Sequence, residues 1–595
     1  MKKKKSKIVW ITGILLIVFT ISSSLGTVVL YKSQNPKALK LKNYAKNFLT
    51  NSKLPDTISE TEGLNDIKQI LIYENNNLIS NHAKKPENNK LNKKKDHKKI
   101  YISDPGKRLI NYTSGYKADF PGNASFSFEY SPIFTKVKTD HYDLVVSREY
   151  SPYEDVKGYI DHYLNRFILN NEYQEKNHIT INRKEDKKYN NHHIQIISTT
   201  LGGLPASEND GYTYVTINTN TRVFYRFLFK HRSGFEDIDK HIEGVLKSFQ
   251  YFRPQGNGYY DLQLKPVLPE NWSAETKELY QKIKNSDDIQ WGIFTKDIYG
   301  EGIDVTVPEI EKEIEYQFPV ILSYIHFNTK FPVEFMKKNY ENGKITELTY
   351  QITESNNGDL FGYTPNLDTY RGLKDDVIRE FARDAKEFGH PFLFRLNNEM
   401  NSDWTSFSGV INMSDPEIYI ENWRRFYKIF EEEGVDNAIW IFNPNDRNFP
   451  PCDWNHFLAY YPGNEYVQMI GLTGYNTGTY YKEEMGEQWR EFKQIYDDVQ
   501  EKYAPFFSEF PWIITEFASS SVGGNKQKWM EDMFQNIKSY ENIKIAVWFS
   551  YADFDYRPEH ENRVSRPYWL DETPETLRAF KEGVGKNKIG NLIPK

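Results

Sequence analysis

Phe392-Leu-Phe-Arg-Leu-Asn-Asn-Glu-Met-Asn401 is an apolar run that ends abruptly in a polar turn. Phe392 to Leu396 has the length and composition of a buried strand. Asn397, Asn398 and Glu399 follow at once. A glutamate at the end of an apolar strand is costly to bury unless something requires it there. The same grammar recurs where Trp512-Ile-Ile-Thr515 leads into Glu516-Phe517. One such glutamate is equally well explained as a structural ion-pair partner. Two of them, distant in sequence, ask for a fold that brings strand ends together.

Outward from these stretches, strands and helices alternate. The pattern predicts strands at 289–294, 320–327, 345–352, 392–396, 438–442, 467–472, 512–517 and 543–549. Between them, Asp375 to Phe388 places Val377, Ile378, Phe381, Ala382, Ala385 and Phe388 on one face, with Gly389 as a stop. Ser414-Asp-Pro-Glu417 reads as a capping box that opens a helix ending near Gly434. Eight such repeats in about 300 residues suit a (β/α)8 barrel, an α/β TIM fold, with catalytic groups at the C-terminal strand ends. A doubly wound open sheet is the alternative. On the barrel count, Glu399 follows strand four and Glu516 lies on strand seven.

Paired carboxylates at one barrel mouth suit glycosidic bond cleavage. One protonates the departing oxygen while the other attacks the anomeric carbon, and the retaining route needs them about 5 to 5.5 Å apart. The acid needs a raised pKa and the nucleophile must stay charged. Arg395 is placed to keep a nearby carboxylate ionised.

Four segments carry a specific resemblance: Arg395-Leu-Asn-Asn-Glu-Met-Asn-Ser-Asp-Trp404, Ile470-Gly-Leu-Thr-Gly-Tyr-Asn476, Ile514-Thr-Glu-Phe517 and Ala546-Val-Trp-Phe549. Their order and spacing resemble glycoside hydrolase family 26 over residues 285–582. That resemblance implies retaining chemistry and a β-mannan or β-glucan substrate. It implies Glu399 as acid/base, Glu516 as nucleophile, Asn398 on a sugar hydroxyl and Tyr475 bonded to the nucleophile. It further implies Trp548 as the floor under the sugar and Trp404 lining the cleft. His326, at the end of strand two, is a further substrate-binding candidate, with a structural histidine as the plainer reading. Many mannanases of the family carry His before the acid/base, where this chain has Asn398, which counts against mannan in particular. The expected activity is a retaining endo-β-glycosidase. A non-catalytic glycan-binding protein on the same scaffold, or a transglycosylase, are the alternatives.

Before the barrel, residues 101–255 read as a small α+β domain. Val223, Tyr225, Phe227 and Phe229 alternate with Arg222, Arg226 and Lys230, as in a half-buried strand. Residues 194–200 and 212–217 read as further strands, and 153–167 and 237–249 as helices. The stretch from Phe126 to Phe249 loosely resembles PsbP/Mog1-like domains. Pro254 to Gly258 marks the boundary with the barrel domain, 256–595.

The N-terminus reads as an address. Lys2 to Lys5 and Lys7 precede a nearly uncharged run at 8–31. That run is expected to be a transmembrane anchor, with residues 1–7 in the cytoplasm and the barrel outside the cell. Cleavage as a signal sequence, giving a secreted protein, is the competing reading. Residues 32–100, rich in Lys and Asn, read as a polar linker.

A net charge of -6 gives no nucleic-acid footprint. The single cysteine, Cys452, excludes a disulfide within the chain. There is no P-loop and no zinc HExxH helix. Gly583-Val-Gly585 lacks a dinucleotide pattern, and Ser519 to Ser521 lacks the elbow glycines of a serine hydrolase. His192-His193 reads as surface rather than as metal ligands. No metal or cofactor is expected, a monomer is expected, and the partners are a polysaccharide and, through the anchor, the membrane.

Overall fold

The structure, a computed structural model, describes residues 98–103, 106–130, 132–189, 192–254, 262, 264–354, 361–560, 562–585 and 592–593, with the dipeptides 17–18 and 29–30. The expected basic tail, nearly all of the run expected to be an anchor and most of the expected linker lie outside the described residues. Of that run only Ile17–Val18 and Val29–Leu30 are described, and they pair antiparallel. Among the described residues no helix is long and apolar enough to cross a membrane. The linker closes slightly earlier than expected, because Lys98–Ser103 already pairs with Gly106–Asn111. Of the expected boundary at 254–258, residues 255–258 lie outside the described residues.

Eight parallel strands form a closed barrel: β1 Gln290–Thr295, β2 Val320–His326, β3 Ile345–Gln351, β4 Phe392–Leu396, β5 Ala438–Phe442, β6 Met469–Thr473, β7 Trp512–Phe517 and β8 Ile543–Ser550. Pairing of β1 with β8 closes the ring, which excludes the open sheet. The strands read as near-continuous apolar runs because both faces are covered. Leu322, Ile345, Leu393, Ile439, Ile513, Ile545 and Val547 fill the interior, and Trp272, Leu279 and Tyr280, at and within the helix Ala274–Lys284, join the same cluster. Alternate residues such as Phe394, Trp440, Ile514 and Trp548 pack outward on the helices.

Two local expectations shift. On the helix Asp375–Phe388 the buried face is Ile378, Phe381, Ala382, Ala385 and Phe388, while Val377 is exposed. The helix Pro416–Glu433 is capped by Asp415, whose side chain accepts from the Glu417 amide, not by Ser414. Proline at the first helical position fixes that start one residue later. Gly434, left-handed at φ 75°, ends the helix as read.

The preceding domain is more β-rich than the sequence suggested. A seven-stranded antiparallel sheet runs in the order 125–127, 134–138, 142–150, 223–231, 211–218, 192–201, 179–189. A four-stranded sheet (250–251, 116–121, 106–111, 98–103) and the helix Ile238–Ser248 cover one of its faces. The expected helix at 153–167 is shorter, with regular α-helix only over Val156–Tyr159 and a wider turn to Leu164. The strand Val223–His231 is not half-buried; all nine residues are buried. Tyr225, Phe227 and Phe229 face the domain's own core. Phe224 and Leu228 face a cluster shared with Leu367, Val410, Ile411, Met413 and Trp454 of the barrel loops. Two of the three basic residues that suggested a wet face are buried too: the Arg226 guanidinium donates to the Ser414 carbonyl at 2.7 Å, and Lys230 pairs with Asp415 at 3.1 Å.

Candidate active site

Glu516 enters the barrel mouth through a local irregularity. Pairing of β7 with both neighbours slips beside Thr515 and Glu516. Ile513 points inward and Ile514 outward. Thr515 then bonds the inward-facing Asn443 at 3.1 Å, Glu516 also turns inward, and Phe517 returns to the outer layer. Strict alternation would have aimed Glu516 at the helices. A slip of one residue is how strands re-aim side chains beside active sites.

Both carboxylate oxygens of Glu516 are fully occupied. Oε1 accepts from Arg395 Nη1 at 2.9 Å and from Asn398 Nδ2 at 3.5 Å. Oε2 accepts from Tyr324 Oη at 2.5 Å and Tyr475 Oη at 3.0 Å. Arg395 is held in turn by Thr349 and Asn443, at 2.7 and 2.9 Å. Its guanidinium lies 5.3 Å from the Tyr324 ring centroid. The nucleophile candidate is thus fixed in orientation and matched by a positive charge.

Glu399 sits in a different environment. It follows β4 in a turn where Asn397 and Glu399 both adopt left-handed backbone, at φ 51° and 56°. Such strain persists only where the surroundings over-determine it. Here the Glu399 amide donates to the Asn443 carbonyl, and Asn397 is tied to β3 through the Tyr350 carbonyl and the Ile352 amide. One carboxylate oxygen accepts from Trp404 Nε1 at 2.9 Å. Burial, and then the charge of Glu516, push the Glu399 carboxyl up to about 8. Glu399 thus holds its proton more tightly than an ordinary glutamate, while Glu516 at the same mouth faces the Arg395 guanidinium.

The remaining expected residues divide. Asn398 links the two sides of the site, since its Oδ1 accepts from Gln351 at 2.9 Å while its amide faces Glu516. Trp404 and Tyr475 each touch one carboxylate. His326 ends β2 at the same mouth, and its Nδ1 has no hydrogen-bond partner among the described residues. Trp548 is a correction. It is fully buried, points away from the mouth, packs on Phe517, Trp529 and Phe580, and donates to the Tyr568 carbonyl at 2.9 Å. Val547 on β8 points inward, so Trp548 must point out. The aromatic that reaches the site is Phe549. It stacks on Phe294 at 4.9 Å and meets the Tyr475 ring edge-on at 5.9 Å.

The sequence reading missed Tyr324, Asn443, Phe549 and Glu347. Glu347, on β3, is completely buried beneath the site, 3.3 Å from Arg395 Nε. A charge inside an apolar strand was the available signal for it. Nothing in the run Val320-Ile-Leu-Ser-Tyr-Ile-His326 singled out Tyr324. From Phe549, aromatic rings continue outward to Tyr551 (6.4 Å) and Phe554 (6.0 Å), the last 44% exposed on the strand Ala552–Phe554.

Comparison with known proteins finds partial matches. Endoglucanase H of Acetivibrio thermocellus is 30% identical over 273 residues, 45% of this chain and 27% of that protein. A mannan endo-1,4-beta-mannosidase of Bacillus subtilis is 33% identical over 110 residues, 17% of this chain and 28% of that one. The chain thus spans only about a quarter of the length of these curated relatives. A solved beta-mannanase from a symbiotic protist of the termite Reticulitermes speratus is 16% identical and aligns with 56% of this chain and 99% of its own, at a TM-score of 0.38. Residues 337–501, from the helix before β3 past Glu399 to the helix before β7, match the family described as Glycosyl hydrolase family 26.

Proposed function

We propose that the protein is a retaining endo-β-glycanase acting outside the cell, with a β-glucan as the preferred chain and a β-mannan second. The observation that carries this reading is the contrast between the two carboxyl groups: Glu516 held by four donors, Glu399 buried and raised to about 8. In the first step a Glu516 oxygen attacks the anomeric carbon. The glycosidic carbon–oxygen bond breaks, and the Glu399 proton goes to the departing oxygen. In the second step Glu399, now ionised, takes a proton from water, whose oxygen displaces Glu516 and restores it. The rings from Phe549 to Phe554 offer flat apolar faces to several sugar units, which supports cutting within a chain. Asn398 in place of His, and the likeness to a protein named endoglucanase, favour glucan over mannan. The lysine-led apolar N-terminus supports export, anchored in the membrane or released from it.

The test is release of reducing ends from mixed-linkage β-glucan, glucomannan and mannan, with proton NMR of the first product formed. The β-anomer is expected first; an inverted product would overturn the mechanism. Glu399→Gln and Glu516→Gln should each lower turnover about 10²- to 10⁴-fold or more. Full activity in either variant sinks the assignment.

A further inference from the structure

The loop that carries Glu399 and Trp404 is held in part by a different domain. Residues 397–415 between β4 and the next helix are almost entirely buried. Four of them adopt left-handed backbone without being glycine: Asn397, Glu399, Met413 and Ser414. The barrel itself restrains the first pair. Side chains of the seven-stranded sheet domain restrain the second. Tyr214 Oη donates to the Met413 carbonyl at 2.7 Å, and Arg226 donates to the Ser414 carbonyl at 2.7 Å. Tyr173 Oη donates to the Ile411 carbonyl at 2.6 Å, and Lys230 pairs with Asp415 at 3.1 Å. Midway along the loop, Asp403 has a fully buried side chain. Its Oδ2 accepts from Tyr163 Oη at 2.8 Å and lies 3.4 Å from Arg166 Nη2. The next residue is Trp404, whose indole N–H bonds Glu399.

We infer that this domain is a working part of the catalytic apparatus: Tyr163 and Arg166 hold Asp403, and through Trp404 they set the position of the acid Glu399. Tyr163 and Arg166 are positioning residues, because they act through Asp403 and Trp404 and touch no reacting atom. A strained loop relaxes unless its surroundings over-determine it, and a misplacement of about 1 Å at the acid costs on the order of a hundredfold in rate. Barrel residues hold one side of this loop and the sheet domain holds another. The inference rests on the reading of Glu399 as the acid.

The test compares two substrates on the full chain. Mixed-linkage β-glucan needs its leaving oxygen protonated; 2,4-dinitrophenyl β-cellobioside does not. In Tyr163→Phe, and more strongly in Tyr163→Phe/Arg166→Met, kcat/KM on the glucan should fall at least about tenfold. On the aryl glycoside it should stay within about twofold, the same split that Glu399→Gln should show in larger measure. Equal losses on both substrates, or no loss on either, overturn the inference. Amide hydrogen exchange across 397–415 reads the clamp on the same proteins without any substrate. Exchange should speed up in the variants, and unchanged exchange overturns the inference even if the wild-type chain proves inactive on both sugars, an outcome that would instead remove the proposed function.

Discussion

Arg395 answers to two carboxylates. Its Nη1 meets Glu516 at the mouth, while Nε lies against Glu347 in the barrel interior. Burial pushes the Glu347 carboxyl up to about 8, the Arg395 charge opposing this and that of Glu516 adding to it. Between about pH 4.5 and 8 the folded protein therefore keeps a proton that the unfolded chain has lost, so this group's contribution to stability falls as pH rises through that window. Glu347→Gln removes the titration. The variant's melting temperature should drop less than that of the wild type between pH 5 and pH 8; equal drops would show that Glu347 is charged in the fold. Tyr324 is the other residue beneath notice in the sequence. Its hydroxyl bonds Glu516, and a hydrogen bond to a charged group contributes about 1.5–3 kcal/mol. Tyr324→Phe should lower kcat about ten- to a hundredfold with the melting temperature nearly kept. Unchanged kcat would place the phenol outside the mechanism. Glu399, Glu516, Arg395, Trp404 and Tyr475 were legible because the chemistry and the family motif name their types. Tyr324 was not, because a tyrosine in an apolar strand looks like any core aromatic.

On the scale of elements, β8 and β7 show where periodicity helps and where it misleads. Trp548 and Phe549 are neighbours on opposite faces of one strand. Trp548 belongs to the strand–helix layer, so Trp548→Ala should cost about 3–5 kcal/mol of stability. Phe549→Ala opens only the mouth, and should raise KM for polysaccharide several-fold with a smaller thermal shift. Thermal melts and Michaelis curves on the two variants check this; the reverse pattern would restore Trp548 to the cleft. Ile545 and Val547 share one face, but within the apolar run Ile545 to Phe549 the sequence hides which set points in. The slip beside Glu516 has no sequence signature at all, since it exists only as a mismatch with β6 and β8.

Across the whole molecule, the sheet domain and the barrel share one buried cluster, and the shared surface lies behind the loop of Glu399. Two interface carboxylates are placed with the same economy: Asp403 of the loop on Tyr163, and Glu149 of the sheet on the amides of Asp453 and Trp454 at 2.7 and 3.1 Å. The sequence by itself determined the repeat of eight strands, their order, and the two glutamates at strand ends, because apolar periodicity and the cost of burying a carboxylate are local properties. Only the tertiary structure decided which way Trp548 faces, how Glu516 is turned inward, that Tyr324 and Glu347 join the site, and that the first domain braces the loop of Glu399. Each of those depends on contacts between residues far apart in the chain, and no local pattern records what a side chain will meet.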